Sequence, residues 1–458
     1  MERITSGIPE FDDIVGGGLP ARAIHTVIGP PGSGKTILTE QTAFANAGGD
    51  RPVLYLSTLS EPLQKFIAFV QRYQFADLDR IGSDIIYDDL FYDAADISDI
   101  GARLRSLIHE HRPKLMIIDS FKAIADLSPD LPSWRRLLYE LAGLLTAYDT
   151  TSFWVGEYTS DMTTQVAEFA VADSIIELSR QQQGTRDDRF LRVLKLRGSG
   201  FRDGFHAVRL SRAGLEVFPR LVTPADTPPH EPTRDRVASG IEGLDDMLHG
   251  GWPRGTSVLL AGPSGSGKTI FALHFLREGV REGESGLLVN FQENPYQTAA
   301  NMRSLGWTPE TLVAPGRLDQ FYISPVELQI DSIVRDLIAR VEAHDVRRVV
   351  IDALGDLERS SPDPVRFRDY VYSLAQWLSV RNITVLLLFE TGGLLMDIPT
   401  GPHHGISYIS DNILLLEMDL GERDLSRSAR VIKSRGSPHD GRPRSFEITD
   451  RGPVMEVL

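Results

Sequence analysis

The stretch GPPGSGKT at residues 29–36 returns almost unchanged as GPSGSGKT at residues 262–269. With Arg3 laid on Arg236 and the offset of 233 kept, RITSGIPEFDDIVGGGLPARAIHTVIGPPGSGKTI covers RVASGIEGLDDMLHGGWPRGTSVLLAGPSGSGKTI with 17 identities in 35 positions and no gap. The same offset lays Asp119 on Asp352, Pro62 on Pro295 and Glu157 on Glu390. A register kept over so many separate points means a duplicated domain, and the period is far too long for a solenoid repeat. Whatever fold the first half takes, the second half takes too.

Each copy alternates short apolar runs with helical stretches. AIHTVIG, PVLYLS, KLMIIDS and TSFWVGE read as buried strands, and SGLLVNF, RRVVIDA and NITVLLLFE repeat the set. SWRRLLYELAGLLTAY between two of them is helical. The expected class is α/β: two tandem P-loop domains, each a mostly parallel sheet flanked by helices. The join shows in composition. PRLVTPADTPPHEPTRD, residues 219–235, carries five prolines and no helical periodicity, so it reads as an extended linker between domains at 1–218 and 236–458.

Composition removes several classes. The 458-residue chain has no cysteine, which excludes disulfide frameworks and Cys-based zinc sites. Its N-terminus, MERITSGIPEFDD, has no apolar signal core, and no run reaches membrane-spanning length. A soluble cytoplasmic protein without membrane contacts is expected. The formal charge of −15 opposes nonspecific attachment to nucleic acid.

The two loops match G-x-x-x-x-G-K-[ST]: Gly29, Pro30, Pro31, Gly32, Ser33, Gly34, Lys35, Thr36, and Gly262, Pro263, Ser264, Gly265, Ser266, Gly267, Lys268, Thr269. Glycines let backbone N–H groups turn inward around phosphate oxygens, and the following helix offers its positive end. The lysine reaches the outer phosphates and the threonine hydroxyl ligates Mg²⁺, so ATP and Mg²⁺ are the expected cofactors. Asp119 and Asp352 each end an apolar strand, where a second Mg²⁺ ligand belongs.

FQENP (291–295) offers Gln292 and Glu293 as water-orienting residues. Alternation along a strand lets only one of them face the phosphate, and only the glutamate accepts a proton. The equivalent places in the first copy hold Leu59 and Ser60, with Glu61 one residue late. Both loops should therefore hold nucleotide, with unequal means of activating water. Late in each copy comes a basic pair, Lys195 and Arg197 in VLKLRGSG and Lys433 and Arg435 in VIKSRGSP. Two residues apart on one strand face, such a pair suits a γ-phosphate held by a neighbouring subunit.

Taken together, SGIxxxDDxxxGGxP…GPxGSGKT, the two aspartate-ended strands and the late K-x-R-G-S resemble the KaiC family of RecA-like ATPases over nearly the whole chain. The second half is closest to the circadian-clock members, through ISDNILLLEMDLGERDLSRSARVIKSRGSPHD and EITDRGPVM. The resemblance implies two RecA-like domains, a double-ring homohexamer with ATP between subunits, a first ring that is mainly ATPase and a second with autokinase and autophosphatase chemistry. It implies that Lys195, Arg197, Lys433 and Arg435 act in trans. It also lays the family's Ser-Thr phosphoacceptor pair on Ser407 and Tyr408, of which only Ser407 matches. Leu59, Ser60 and Gln292 stand where the family has glutamates. No counterpart of the clock proteins' long partner-binding tail is expected after ITDRG. The expectation is a slow ATP-hydrolysing switch with an unidentified signalling partner. The competing expectations are a catalytically weak nucleotide-dependent scaffold and a RecA-type DNA-dependent ATPase, the last opposed by the acidic charge.

Overall fold

The computed structural model describes residues 2–58, 62–91, 96–160, 162, 166–183, 186–222, 235–324, 329–361, 363–391, 409–420 and 425–456. The chain divides into two compact units, Met1–Arg220 and Leu221–Leu458. Each unit contains one nine-stranded sheet.

Unit one contributes β1 (Ile24–Ile28), β2 (Val53–Ser57), β3 (Ile85–Asp89), β4 (Leu115–Asp119), β5 (Thr151–Gly156), β6 (Ser174–Gln183), β7 (Arg186–Leu196), β8 (His206–Ser211) and β9 (Gly214–Phe218). Across the sheet they run β9-β8-β7-β6-β1-β5-β4-β2-β3. The six strands from β6 to β3 are parallel, and β7, β8 and β9 continue the sheet antiparallel. Parallel neighbours need crossovers, and the crossovers lay helices on both faces. Hence β1, β2, β4 and β5 are buried at every position, which is why they read as largely apolar runs.

Helix α1 (Lys35–Ala45) covers one face, its Leu38 and Phe44 packing in one cluster with Val27, Ile117, Phe153 and Val155. Helices α2 (Ile97–His111) and α3 (Leu131–Ala147) cover the other, against Met116, Ile118 and Trp154. The sequence of α3 explains its form. Asp130 caps the first turn by accepting from the Ser133 N–H, proline sits in that turn, and Trp134, Leu137, Leu138, Leu141 and Leu145 make the buried stripe.

Unit two repeats this with β10 (Ser257–Gly262), β11 (Ser285–Asn290), β12 (Leu318–Tyr322), β13 (Val346–Asp352), β14 (Thr384–Glu390), β15 (Asn412–Leu420), β16 (Leu425–Ser434), β17 (Arg444–Thr449) and β18 (Gly452–Met455). Their order is β18-β17-β16-β15-β10-β14-β13-β11-β12, the first sheet's order strand for strand. Helix α4 (Lys268–Arg281) takes the place of α1, and α5 (Pro295–Ser304), α6 (Ile330–Ala343) and α7 (Pro364–Ser379) follow. One core position differs in kind. Arg348 in β13, where the first copy has Leu115, is fully buried and donates to the carbonyl of Phe275 in α4 at 2.9 Å. It also binds Glu284 at 2.6 Å, so the buried charge is paired and ties α4 to the sheet. In both units the carboxyl ends of the parallel strands share one edge, the edge where open α/β sheets bind ligands.

Candidate nucleotide sites

The phosphate loops join β1 to α1 and β10 to α4. Their first glycines touch the next strand: a Cβ on Gly29 would lie 1.9 Å from the Leu178 carbonyl oxygen, and one on Gly262 would lie 2.6 Å from that of Leu416. Gly34 and Gly267 turn the chain into the helices with φ of 106° and 101°, a region that disfavours any side chain. No side chain caps either helix, so first-turn N–H groups stay available to an anion.

Lys35 Nζ folds back to donate to the carbonyls of Gly29 and Pro30, both at 2.9 Å. Lys268 repeats this on Gly262 at 2.9 Å and Pro263 at 2.8 Å. Burial lowers the pKa of both lysines; Glu157 and then Asp119 oppose this at Lys35, as Glu390 and then Asp352 do at Lys268. The Thr36 hydroxyl donates to Asp119 Oδ2 at 2.7 Å, and the Thr269 hydroxyl to Asp352 Oδ2 at 2.8 Å. Each pair expected to hold Mg²⁺ is thus together in space.

These groups fit Mg²⁺ and a polyphosphate. The hydroxyls of Ser33 and Ser266, fully buried within the loops, have no hydrogen-bond partner in the protein. Among the described residues no cluster of three or more His, Cys, Asp or Glu forms a metal cage. One carboxylate and one hydroxyl per copy leave the remaining coordination to phosphate and water, as Mg²⁺ prefers. In unit two, burial pushes the Asp352 carboxyl up to about 6; the Thr269 hydrogen bond opposes the shift, and the charge of Glu293 adds to it.

The water-orienting pair departs from the sequence expectation. Strand β11 ends at Asn290, whose Oδ1 accepts from the N–H groups of Gln292 at 3.0 Å and Glu293 at 2.9 Å. The chain has turned before either residue, so strand alternation does not sort them. Gln292 is exposed and donates to Asp356 Oδ2 at 2.8 Å. Glu293 is half-buried, accepts from Asn301 Nδ2 at 2.9 Å, and is the one of the two whose charge reaches Asp352. Leu59, Ser60 and Glu61 in the first copy lie outside the described residues, as do Ser407 and Tyr408.

The basic pairs are not brought to the phosphate loops of their own units. Lys195 lies in β7 opposite Ile175, and Arg197, just past the strand, donates its N–H to the Asp173 carbonyl. Asp173 in turn donates to Ile24, at the start of β1. Lys195 Nζ binds the carbonyls of Phe169 at 3.1 Å and Ala172 at 2.6 Å, and Arg197 pairs with Asp173 at 3.6 Å. Lys433 and Arg435 repeat the arrangement on Ser410 at 2.6 Å and Asp411 at 3.4 Å. From Ile24 to Gly29 is five strand residues, about 17 Å at about 3.3 Å each. That is farther than an arginine side chain spans.

Two glutamates noticed in the sequence only as points of the repeat, Glu157 and Glu390, stand level with Gly29 and Gly262, the glycines whose carbonyls hold the loop lysines. Their signal was present: each stands at the end of an apolar strand, as Asp119 and Asp352 do.

Fold and site together define tandem RecA-like P-loop domains of the ATP-binding kind. The family model described as "ATPase: KaiC" matches residues 4–222 and again 237–456. The chain belongs to the KaiC family of ATPases. It is 27% identical over 476 residues to the circadian clock oscillator protein KaiC of Rippkaea orientalis, an alignment covering all of this chain and 89% of that protein. It is 27% identical over 473 residues to KaiC 1 of Synechocystis, covering 99% and 89%. The KaiC of Synechococcus elongatus is 27% identical over 474 residues, covering 100% and 89%. No helix among the described residues is long and apolar enough to cross a membrane.

Proposed function

We propose that this KaiC-family protein binds Mg²⁺–ATP in both domains, assembles as a double-ring homohexamer and hydrolyses ATP slowly, chiefly in domain two. The domains are residues 1–218 and 236–458, joined by the linker 219–235, in a cytoplasmic protein. The observation that carries the reading is the repeated pairing of Thr36 with Asp119 and Thr269 with Asp352, beside a lysine folded onto its own loop. In each copy the lysine exchanges two backbone carbonyls for phosphate oxygens, and the glycine loop surrounds them with N–H donors. Thr36 with Asp119, and Thr269 with Asp352, would hold Mg²⁺, which would supply charge neutralisation to the phosphates. In domain two Glu293 orients the attacking water and takes its proton, with Gln292 as a neighbouring hydrogen-bonding group. Lys433 and Arg435, and Lys195 and Arg197, stabilise a γ-phosphate held by the adjacent subunit. The switch acts on a signalling partner rather than on DNA. Mg²⁺-dependent phosphate release that vanishes in Lys35→Ala/Lys268→Ala tests the enzyme reading; turnover no higher in the wild type than in that variant leaves only the scaffold.

The raised carboxyl of Asp352 gives a pH signature. The group is protonated in the metal-free domain below about pH 6 and ionised above, so Mg²⁺ competes with a proton there. By the same sign, the metal-free domain loses stability as pH rises through about 6, and Mg²⁺ restores it. In Lys35→Ala, the apparent Mg²⁺ affinity read with a fluorescent ATP analogue should fall about tenfold per pH unit below 6 and be flat above 7. A flat profile from pH 5 to 7 refutes the assignment of Asp352.

Autophosphorylation at Ser407 is expected to be at most weak. A serine hydroxyl needs a base aligned with a γ-phosphate. The family's base position holds Gln292, an amide engaged with Asp356. Tyr408 would carry its hydroxyl several ångströms beyond a threonine's. Intact-mass spectrometry after long incubation with Mg²⁺–ATP should show little or no added phosphate. A stoichiometric phosphate on Ser407 makes the protein an active autokinase.

A further inference from the structure

Glu157 and Glu390 have no role in the scheme above. Glu157 directly follows β5 and Glu390 ends β14. These strands lie between the phosphate-loop strand and the strand that carries Asp119 or Asp352. Register sets Glu390 beside Gly262, whose carbonyl already accepts from Lys268 Nζ at 2.9 Å and from the Thr391 N–H at 3.1 Å. In unit one Ile28 pairs with Gly156, so Glu157 stands level with Gly29, the residue that holds Lys35.

Alternation gives the face. Phe153 and Val155 pack in the cluster that contains α1 residues, while Trp154 packs in the opposite one. Glu157 lies one residue past the end of β5, so its aim toward α1 and the phosphate loop is taken from its repeat, Glu390, which still lies within β14. Leu386 and Leu388 share a cluster with α4 residues, while Phe389 packs on the other face, so Glu390 has the same aim. Both glutamates are exposed.

The placement matters most in domain one, where Leu59 and Ser60 occupy the family's glutamate positions and Leu59 has no polar atom. Once Lys35 binds phosphate, Glu157 is left facing the same phosphate. Lys35 offsets part of the repulsion between these two anions, and a water between them can donate to both. We propose that Glu157 is the water-activating carboxylate of domain one. It accepts a hydrogen bond from a water in line with the γ-phosphorus. The water oxygen bonds to phosphorus as the bond to the β-bridging oxygen breaks, the electron pair leaves with ADP, and the proton passes to Glu157 and then to solvent. This rests on the reading of domain one as an ATP site.

The test uses Lys268→Ala, which silences domain two in the full chain. Adding Glu157→Gln should lower the residual phosphate release about a hundredfold, the lower end of what a general base contributes. Affinity for a non-hydrolysable ATP analogue should not change, and nucleotide recovered from the purified protein should shift from ADP to ATP. Glu157→Asp should recover part of the rate. The proposal is overturned if Glu157→Gln leaves the rate unchanged, if analogue binding falls with the rate, or if Lys268→Ala turns over no faster than Lys35→Ala/Lys268→Ala. Phosphate release by the wild type, driven by domain two, judges the ATPase reading separately.

Discussion

Lys268→Ala should remove nearly all ATP turnover from the assembled protein, whereas Lys35→Ala should leave most of it. The two lysines make matching contacts with their loops, and the two threonine–aspartate pairs differ by only 0.1 Å, so the domains should bind nucleotide alike. They differ one strand further along. Domain two has Glu293, whose charge is felt at Asp352 and whose position is fixed from two sides, its N–H held by Asn290 and its carboxylate by Asn301. Domain one has Leu59 and Ser60 at the corresponding places. A positioned general base contributes about 10²–10⁴-fold, so the asymmetry should dwarf assay error. Glu157, reaching from the neighbouring strand, sustains only the small residue. Steady-state phosphate release on gel-filtered assemblies of both variants, with bound nucleotide quantified on the same samples, gives the answer. If Lys35→Ala loses nearly all activity and Lys268→Ala keeps it, the catalytic ring is the first and Glu293 is not the dominant base.

The parts of this molecule that were legible in the sequence are those with one physical solution. A strand covered by helices on both faces has to be mostly apolar, so β1, β2, β4, β5 and their repeats announced themselves. A loop whose first residue would set a Cβ 1.9 or 2.6 Å from a neighbouring carbonyl oxygen has to be glycine, and Gly29 and Gly262 marked both sites. Other features depend on competition between local and distant contacts. The end of β11 is decided by Asn290 capturing two N–H groups with its side chain, and no periodicity records that. The antiparallel strands β7 to β9 carry Arg186, Arg189, Arg192 and Arg209 among their apolar residues, which blurs their pattern. The level of Glu157 needed the register between β1 and β5, a long-range fact. The same holds for the basic pairs. Two charged residues on a strand say nothing of which phosphate they serve until their level in the sheet is known.

That level leads to the second large effect: Mg²⁺–ATP should raise the particle mass to about six times the 50.8 kDa of one chain, and ADP should not. Arg197 stands level with Ile24, and Arg435 reaches through Asp411 to Ser257, in each case at the start of the strand whose far end grips phosphate. Neither can serve its own nucleotide. Burial lowers the pKa of Lys195 and of Lys433, and the adjacent Arg197 or Arg435 lowers it further, so each pair is two cations crowded together and only partly offset by one aspartate. A γ-phosphate presented by a neighbouring subunit supplies the missing negative charge; ADP ends one phosphate short of it. A single exposed contact of this kind is worth about 0–1 kcal/mol, and one desolvated against phosphate considerably more. In the proposed double ring the contact would recur at every interface in both tiers, so a modest term per site would decide assembly by mass action. Light scattering on samples with Mg²⁺–ATP, with Mg²⁺–ADP and without nucleotide reads it directly. Lys433→Ala/Arg435→Ala should raise the ATP concentration needed for assembly at least tenfold while leaving ATP binding by the monomer intact. One unchanging monomer mass in all three samples removes the ring, and with it the role of these four residues in trans.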